Sequence, residues 1–121
     1  MVIKTSPITT MEGAFSVKGL NVVITGGNRG IGFGIASAFA QSGANVAILC
    51  RNPESGKAAA EKLAAYGVTT YAFQADIADL ESVKNAAQKV FKVFPSIDVL
   101  VNNAGISASV RFLEDENLRQ W

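Results

Sequence analysis

The sequence predicts an α/β fold in which a doubly wound parallel sheet carries helices on both faces. Extended, apolar runs alternate with helical patterns from Leu20 onward, in the order β-α-β-α-β-α-β-α. The connections between them are short, so each strand should return to the sheet through a right-handed helical crossover. We therefore expect parallel strands in the order 3-2-1-4.

Two predicted strands, residues 20–25 and 45–50, flank the first predicted helix. Both are short apolar runs, typical of strands that are buried on both faces of a sheet. The helix covers residues 30–42 and ends before Gly43, which can adopt the left-handed conformation of a C′ residue. Its apolar residues at helical spacing are Ile31, Ile35, Ala38 and Phe39.

A second predicted helix follows the second strand. Asn52 can serve as its N-cap, Pro53 as its first residue and Glu54 as an acid in its first turn. The helix is expected to reach about Tyr66 and to stop at Gly67.

The remaining pattern predicts two strands and two helices. Residues 68–74 and 97–101 are the strands, and residues 113–121 resemble the opening of the last helix. Asp79 caps the helix between the strands, and Pro95 ends it. The amphipathic stripe of that helix consists of Val83, Ala86, Ala87, Val90, Phe91 and Phe94.

Composition and charge exclude several classes of function. The chain has 121 residues, 49% of them hydrophobic, a net charge of +1, one cysteine and no histidine. One domain is expected, and no long-range field attracts nucleic acid or an anionic membrane. An intrachain disulfide, a Cys–His metal site and a histidine-activated nucleophile are excluded. Cys50 is expected to be a buried residue near a strand end.

The chain ends are interpreted from composition alone. Residues 1–14 lack the features of a signal or transit peptide and are expected to form a flexible extension before a single domain at residues 15–121. No apolar run reaches the roughly 18 residues that a membrane span requires. A cytoplasmic location is expected.

A glycine-rich turn joins the first strand to the first helix. Its sequence is Thr-Gly-Gly-Asn-Arg-Gly-Ile-Gly, residues 25–32. Glycine lets the backbone turn sharply and approach a ligand closely, and a helix N-terminus offers N–H groups to a pyrophosphate. A tight connection without a ligand is the alternative, but the position of the turn after the first strand of successive βα units favours nucleotide binding.

The spacing Thr-Gly-x-x-x-Gly-Ile-Gly resembles the cofactor motif of the short-chain dehydrogenase/reductase family. Two further signatures of that family follow in order: Asp76-Ile77 after the third strand, and Asn102-Asn103-Ala104-Gly105 at the end of the fourth. The resemblance covers residues 15–121 and implies a Rossmann-type fold. It also implies an oxidoreductase that interconverts a carbonyl and a secondary alcohol by hydride transfer.

The resemblance assigns a cofactor site. It implies that the glycine turn lies along the phosphates and the adenosine ribose, that Asp76 and Ile77 contact the adenine, and that residues 103–105 flank the other ribose. Turn-forming roles for Asp76 and for the asparagines are the alternatives, and Asn102 is expected to brace the sheet. The predicted cofactor-binding residues are Gly26, Gly27, Asn28, Arg29, Gly30, Ile31, Gly32, Arg51, Asn52, Asp76, Ile77, Asn103, Ala104 and Gly105.

The charges beside the turn favour NADP over NAD. In NAD sites an acid about 20 residues beyond the glycine turn binds the ribose 2′-hydroxyl. Here no acid occurs between Gly32 and Glu54, and Arg51 lies where that acid would be. Together with Arg29 it could grip a 2′-phosphate, at roughly 1.5–3 kcal/mol for each charge-assisted bond. Two unrelated surface arginines are the alternative.

The resemblance also implies catalytic residues that this sequence lacks. Family members use a Tyr-x-x-x-Lys pair, an upstream serine and an asparagine on the fourth helix, with the tyrosine as general acid or base. Neither Tyr66 nor Tyr71 has a lysine four residues later. We therefore expect a C-terminal half of the same protein to carry the catalytic residues. The fourth strand, left as a hydrophobic edge, supports that expectation.

Two functions remain open on this sequence. The first is an NADP(H)-dependent oxidoreductase of which this chain is the cofactor-binding part; the second is a catalytically silent nucleotide-binding or interaction fragment. The resemblance points to a small-molecule substrate such as a sugar, polyol or oxoacyl carbonyl, with residues 107–111 along one wall of the pocket. The complete protein is expected to be a homo-oligomer, a dimer or a tetramer.

Overall fold

A computed structural model of the chain describes residues 16–103. The elements in this range are β1 (Asn21–Thr25), α1 (Gly30–Gln41), β2 (Asn45–Cys50), α2 (Pro53–Ala64), β3 (Thr70–Gln74), α3 (Leu80–Val93) and β4 (Val99–Asn102). The strands form one parallel sheet in the order β3-β2-β1-β4. The predicted fold class and strand order are confirmed. The predicted N-terminal extension and the predicted helix at residues 113–121 lie outside the described residues.

Strand ends differ from the sequence prediction by one or two residues. β2 has the predicted bounds, but β3 begins at Thr70 rather than at residue 68. The ladder pairs Thr70 with Val46, and the Thr69 N–H before it donates to the side chain of Asn45. β4 covers Val99–Asn102 rather than residues 97–101, because it pairs with β1 from Val22 onward.

Two helices end slightly earlier than predicted. α1 ends at Gln41 and α2 at Ala64, one and two residues before the expected positions. After α2 the N–H groups of Tyr66 and Gly67 donate to carbonyls three residues back, which tightens the last turn. Gly43 and Gly67 have φ of +91° and +82°, the left-handed conformation expected of residues that end helices.

One face of the sheet packs against α1 and α2. The buried residues of α1 are Gly32, Ala36 and Ala40, whereas Ile31 is 79% exposed. Ala38 is also exposed, whereas Ile35 and Phe39 flank the core from half-buried positions. At Gly32, α1 approaches the backbone of the preceding turn too closely for a larger side chain.

The other face packs against α3. Its core residues are Val23, Ala47, Leu49, Ala75, Ala86, Val90 and Phe94. The predicted stripe is confirmed at Ala86, Val90 and Phe94, but Phe91 is 59% exposed and does not belong to it. Phe91 lies a further 100° around the helix from Val90, beyond the narrow face that contacts the sheet. No helix within residues 16–103 is both long and apolar enough to cross a membrane.

A row of polar residues lines the edge of the sheet where the strands begin. Thr69, Asn45, Asn21 and Asp98 form this amino-edge row. The Thr69 N–H donates to Asn45 Oδ1 at 3.1 Å, and Asn45 Nδ2 donates to Asn21 Oδ1 at 3.2 Å. The Asn21 N–H donates to Asp98 Oδ2 at 2.8 Å. Hydrogen bonds that involve side chains thus connect the starts of all four strands and help to fix how each strand is aligned with its neighbour.

Candidate cofactor site

The glycine turn between β1 and α1 begins against the end of β2. The Gly26 N–H donates to the Leu49 carbonyl at 2.7 Å. Gly30 has φ of +58°, a left-handed conformation that favours glycine, and a Cβ built there would meet no atom within 4 Å. The backbone at position 30 therefore borders space that the described chain does not fill.

Gly32 is required by packing within the protein. A Cβ at this position would run into the carbonyl oxygen of Gly26 and would crowd Nδ2 of Asn103. Only a hydrogen atom fits there, so α1 can start directly against the turn and the end of β4. The glycines of the motif thus have two different roles, since the surroundings of Gly30 are open and those of Gly32 are closed.

The start of α1 differs from the starts of the other helices that the structure describes. Asn52 caps α2, its Oδ1 accepting from two N–H groups at 3.0 and 3.1 Å, and Asp79 caps α3 by accepting from Glu81 at 3.0 Å. Both helices also have an acid in the first turn. The N-cap of α1 is Arg29, with no side-chain cap and no acid in its first turn. The positive end of this helix dipole is therefore suited to an anion.

The end of β4 braces the glycine turn. The Asn103 N–H donates to Thr25 Oγ1 at 3.0 Å, and Asn103 Nδ2 donates to the Gly26 carbonyl at 3.3 Å. Asn102 pairs with Thr25 in the sheet and is exposed. Asn102 thus belongs to the sheet, where it was expected, and Asn103 braces the glycine turn through its backbone and one amide proton.

Asp76 and Ile77 follow β3 at the same edge of the sheet. Asp76 Oδ1 accepts from the Ala78 N–H at 3.0 Å, and the Asp76 N–H donates to Ser82 Oγ at 2.8 Å. Asp76 therefore forms a local turn, the structural role left open by the sequence. Ile77 is 43% exposed and offers an apolar surface beside it.

Two arginines lie at the ends of neighbouring connections. Arg29 ends the glycine turn and Arg51 follows β2; both are exposed. Within residues 16–103 neither guanidinium forms an ion pair. Asn28, also in the turn, donates through Nδ2 to the hydroxyl of Ser55 in the first turn of α2. The turn and the start of α2 are therefore in direct contact beside the arginines.

Cys50 is buried at the end of β2, as expected. Its thiol donates to the Asn52 carbonyl at 3.2 Å, and burial raises the pKa of the thiol above its ordinary value. Raised pKa and burial disfavour the reactive thiolate.

The structure brings most of the predicted cofactor residues to one edge of the sheet. At that edge, these residues follow the carboxyl ends of strands or lead into helices. They are the turn, Arg51, Asn52, Asp76, Ile77 and Asn103. Ala104 and Gly105 lie outside the described residues. Sequence reasoning missed the supporting residues Thr25, Ser55 and Ser82. Thr25 opens the glycine motif and could have been found, but Ser55 is 27 residues from its partner and carries no local signal.

Comparison with known proteins agrees with this geometry. A family profile described as short chain dehydrogenase matches residues 20–121. A sorbose reductase of Schizosaccharomyces pombe is 40% identical over 113 residues, which cover 92% of this chain and 44% of that protein. A 3-oxoacyl-(acyl-carrier-protein) reductase of Staphylococcus aureus is 43% identical over 88 residues, covering 72% of this chain and 36% of that protein. The chain spans well under half the length of these curated relatives.

Solved structures of similar proteins share the fold. L-sorbose reductase from Gluconobacter frateurii, complexed with NADPH and L-sorbose, has a TM-score of 0.75 and 35% identity, covering 84% of this chain and 40% of that chain. An NAD+-bound xylitol dehydrogenase has a TM-score of 0.71 and 30% identity, covering 74% of this chain and 35% of that chain. The profile match, the relatives and the fold together establish that this chain belongs to the short-chain dehydrogenase/reductase family.

Proposed function

We propose that the complete protein is an NADP(H)-dependent oxidoreductase that interconverts a carbonyl and a secondary alcohol, and that this chain forms its cofactor site. The observation that carries the proposal is the pair of exposed arginines beside a helix start that has no side-chain cap and no first-turn acid. A dinucleotide with a 2′-phosphate has negative groups for both features: a pyrophosphate for the helix and a third phosphate for the arginines.

The residues present suit such a cofactor. The space beside Gly30 and the open N-terminus of α1 would accept the pyrophosphate, and the exposed side chain of Ile77 would lie against the adenine. Asp76 keeps one carboxylate oxygen outside its turn hydrogen bond, which could accept from the adenine amine. The nicotinamide, when bound, exchanges a hydride with the substrate. The described residues bind and orient the dinucleotide.

The preference for NADP rests on this chain's own charges. Relatives differ in the cofactor that they hold, since the sorbose reductase structure contains NADPH and the xylitol dehydrogenase structure contains NAD+. In this sequence no acid separates Gly32 from Glu54, so no carboxylate at the end of β2 would repel a 2′-phosphate. Arg51 supplies positive charge at that position instead.

A sugar or polyol is the substrate class that we propose first. Sorbose reductases appear both among the curated relatives and among the solved structures, and the former aligns with 92% of this chain. An oxoacyl thioester is the second candidate, supported by the 43% identity to the oxoacyl reductase. A panel that contains ketoses, diketones and an oxoacyl thioester would separate the two in the full-length protein.

The cofactor assignment is tested by titrating NADPH and NADH into the full-length protein and following fluorescence. We expect NADPH to bind at least about tenfold tighter, because charge-assisted bonds to the 2′-phosphate add to the shared contacts. Arg51→Asp should abolish or invert that preference by placing repulsion at the phosphate. Lys18→Asp, the same charge change at an exposed residue before β1, should leave it intact.

Two results would contradict parts of the proposal. Equal affinities of the wild type for NADPH and NADH would refute the NADP assignment. Cofactor binding with no turnover of any carbonyl in the panel would favour the alternative function, a catalytically silent nucleotide-binding protein.

A further inference from the structure

Ser55 is connected to the glycine turn by a side-chain hydrogen bond. Asn28 Nδ2 donates to the Ser55 hydroxyl across 27 residues of chain, and both side chains are half-buried. We call these two residues the bridging pair. Partial burial limits competition from water, so this bond contributes more than an exposed one would. It joins the turn directly to the first turn of α2.

The bridging pair spans two segments that are anchored separately on β2. On one side, the Gly26 N–H of the turn is bonded to the Leu49 carbonyl. On the other, a Cβ at Gly56 would collide with Sγ of Cys50, so the first turn of α2 packs tightly against the strand end. The end of β2 thus anchors the base of each segment. Beyond that anchor, the bridging pair sets the separation of the two segments.

Along the chain, the two arginines lie between the members of the bridging pair. Arg29 directly follows Asn28, and Arg51 lies just before α2, four residues ahead of Ser55. A shift of the turn relative to α2 therefore changes the separation of the two guanidiniums. Two guanidiniums bind one phosphate together only when both can reach it, so their separation governs the strength of the combined grip.

We propose that Ser55 is a positioning residue for cofactor selectivity. Resting on the proposed function, the inference is that Ser55 holds Asn28 and thereby keeps Arg29 and Arg51 spaced for one 2′-phosphate. NADH lacks that phosphate. Loss of the Ser55 hydroxyl should then weaken NADPH binding selectively.

The test is Ser55→Ala in the full-length protein, with affinities measured for NADPH, NADH, 2′,5′-adenosine bisphosphate and 5′-AMP. We expect the two ligands with a 2′-phosphate to bind about fivefold more weakly, the scale of one lost hydrogen bond, and the other two to change less than about twofold. Ser55→Thr keeps the hydroxyl and should restore the preference. Ser42→Ala, at the far end of α1, is the matched control.

A second measurement separates positioning from direct contact with the phosphate. If Ser55 acts through the arginines, Ser55→Ala should have little further effect once Arg51 has been changed to Ala. Additive losses in the double variant would contradict the inference. If Ser55→Ala does not fold, Ser55→Cys replaces it in both measurements, because it keeps the shape of the side chain with a larger atom and weakens the acceptor.

The outcomes distinguish the inference from the proposed function. A wild type that prefers NADPH, with equal losses of NADPH and NADH in the Ser55 variant or no loss at all, would overturn the positioning role alone. A wild type with no preference would instead overturn the NADP assignment itself, whatever the behaviour of the Ser55 variant.

Discussion

The two edges of the sheet differ in whether their polar groups are paired within the protein. At the edge where strands begin, the amino-edge row pairs side chains with one another and with backbone across all four strands. At the edge where strands end, Arg29 and Arg51 are exposed without an ion pair in the described range, and α1 starts without a side-chain cap. Hydrogen-bonding capacity that the protein leaves unused, rather than polarity itself, therefore marks the edge at which we propose the cofactor binds.

The largest effect on stability is expected from Gly32→Ala, at the edge of the sheet where the strands end. The new Cβ would strike the backbone carbonyl of Gly26, which cannot move cheaply, so we expect a loss of about 3 kcal/mol in the free energy of unfolding. Gly34→Ala is the control in the same helix: its Cβ meets nothing within 4 Å, and stability should rise by about 0.5–1 kcal/mol. Urea unfolding measures both; equal stability of the two variants would contradict the packing role of Gly32.

Gly30→Val separates cofactor binding from stability. Gly30 has a left-handed backbone, so a valine there is expected to be strained by about 1–2 kcal/mol. Its branched side chain would also occupy the space assigned to the pyrophosphate. Gly67→Val carries similar strain, with φ of +82° and open surroundings, at the end of α2. We expect both to lose stability but only Gly30→Val to lose more than about tenfold in NADPH affinity. Similar cofactor titrations for both would show that the turn is only a connector.

A smaller effect is expected from Asn45→Ala at the opposite edge. It removes two hydrogen bonds of the amino-edge row, one accepted from the Thr69 N–H and one donated to Asn21, and should cost about 1–2 kcal/mol of stability. Because no cofactor group is assigned there, NADPH affinity should not change. Asn85→Ala, at an exposed site of α3, is the control for the substitution itself. A fall in NADPH affinity without loss of stability would indicate that the edge of Asn45, where the strands begin, takes part in cofactor binding.

The smallest effect concerns pH and the thiol of Cys50. Burial raises its pKa above the ordinary value of 9.0, so near neutral pH the thiol is protonated in both states and contributes almost no pH dependence. Above that pH the unfolded thiol ionises first, and stability should fall as pH rises. The urea midpoint should therefore drop more between pH 8 and pH 10 in the wild type than in Cys50→Ala. The same drop in both would place the thiol in a solvated environment.

Local signals predicted the framework of this chain well. The caps at Asn52 and Asp79, the left-handed Gly43 and the strand order follow from residue types and their spacing, and the structure confirms each of them. Errors arose where tertiary contacts decide. Phe91 fits the amphipathic stripe of α3 by its spacing, yet it is 59% exposed because only a narrow face of the helix contacts the sheet.

The candidate site was less predictable than the framework. Its motif residues could be identified from the chain, but their supports are contacts between distant segments. Asn103 reaches Gly26 across 77 residues, and Asn28 reaches Ser55 across 27. Such pairings depend on how strands are ordered and how closely helices approach, and no local pattern encodes them. The contact of Asn103 with the glycine turn was accordingly not predicted, and Asn102 was expected only to brace the sheet.

The central position of β1 has a consequence for how the molecule assembles. Its partners in β2 lie 24 residues away, as in Asn21 opposite Asn45, whereas its partners in β4 lie 77 residues away, as in Val22 opposite Val99. Closing the longer loop costs more chain entropy, so we expect β3, β2 and β1 to associate first and β4 to dock last. Until then the glycine turn lacks its contacts with Asn103. Much of the hydrophobic core would therefore form before the site proposed for the dinucleotide is braced.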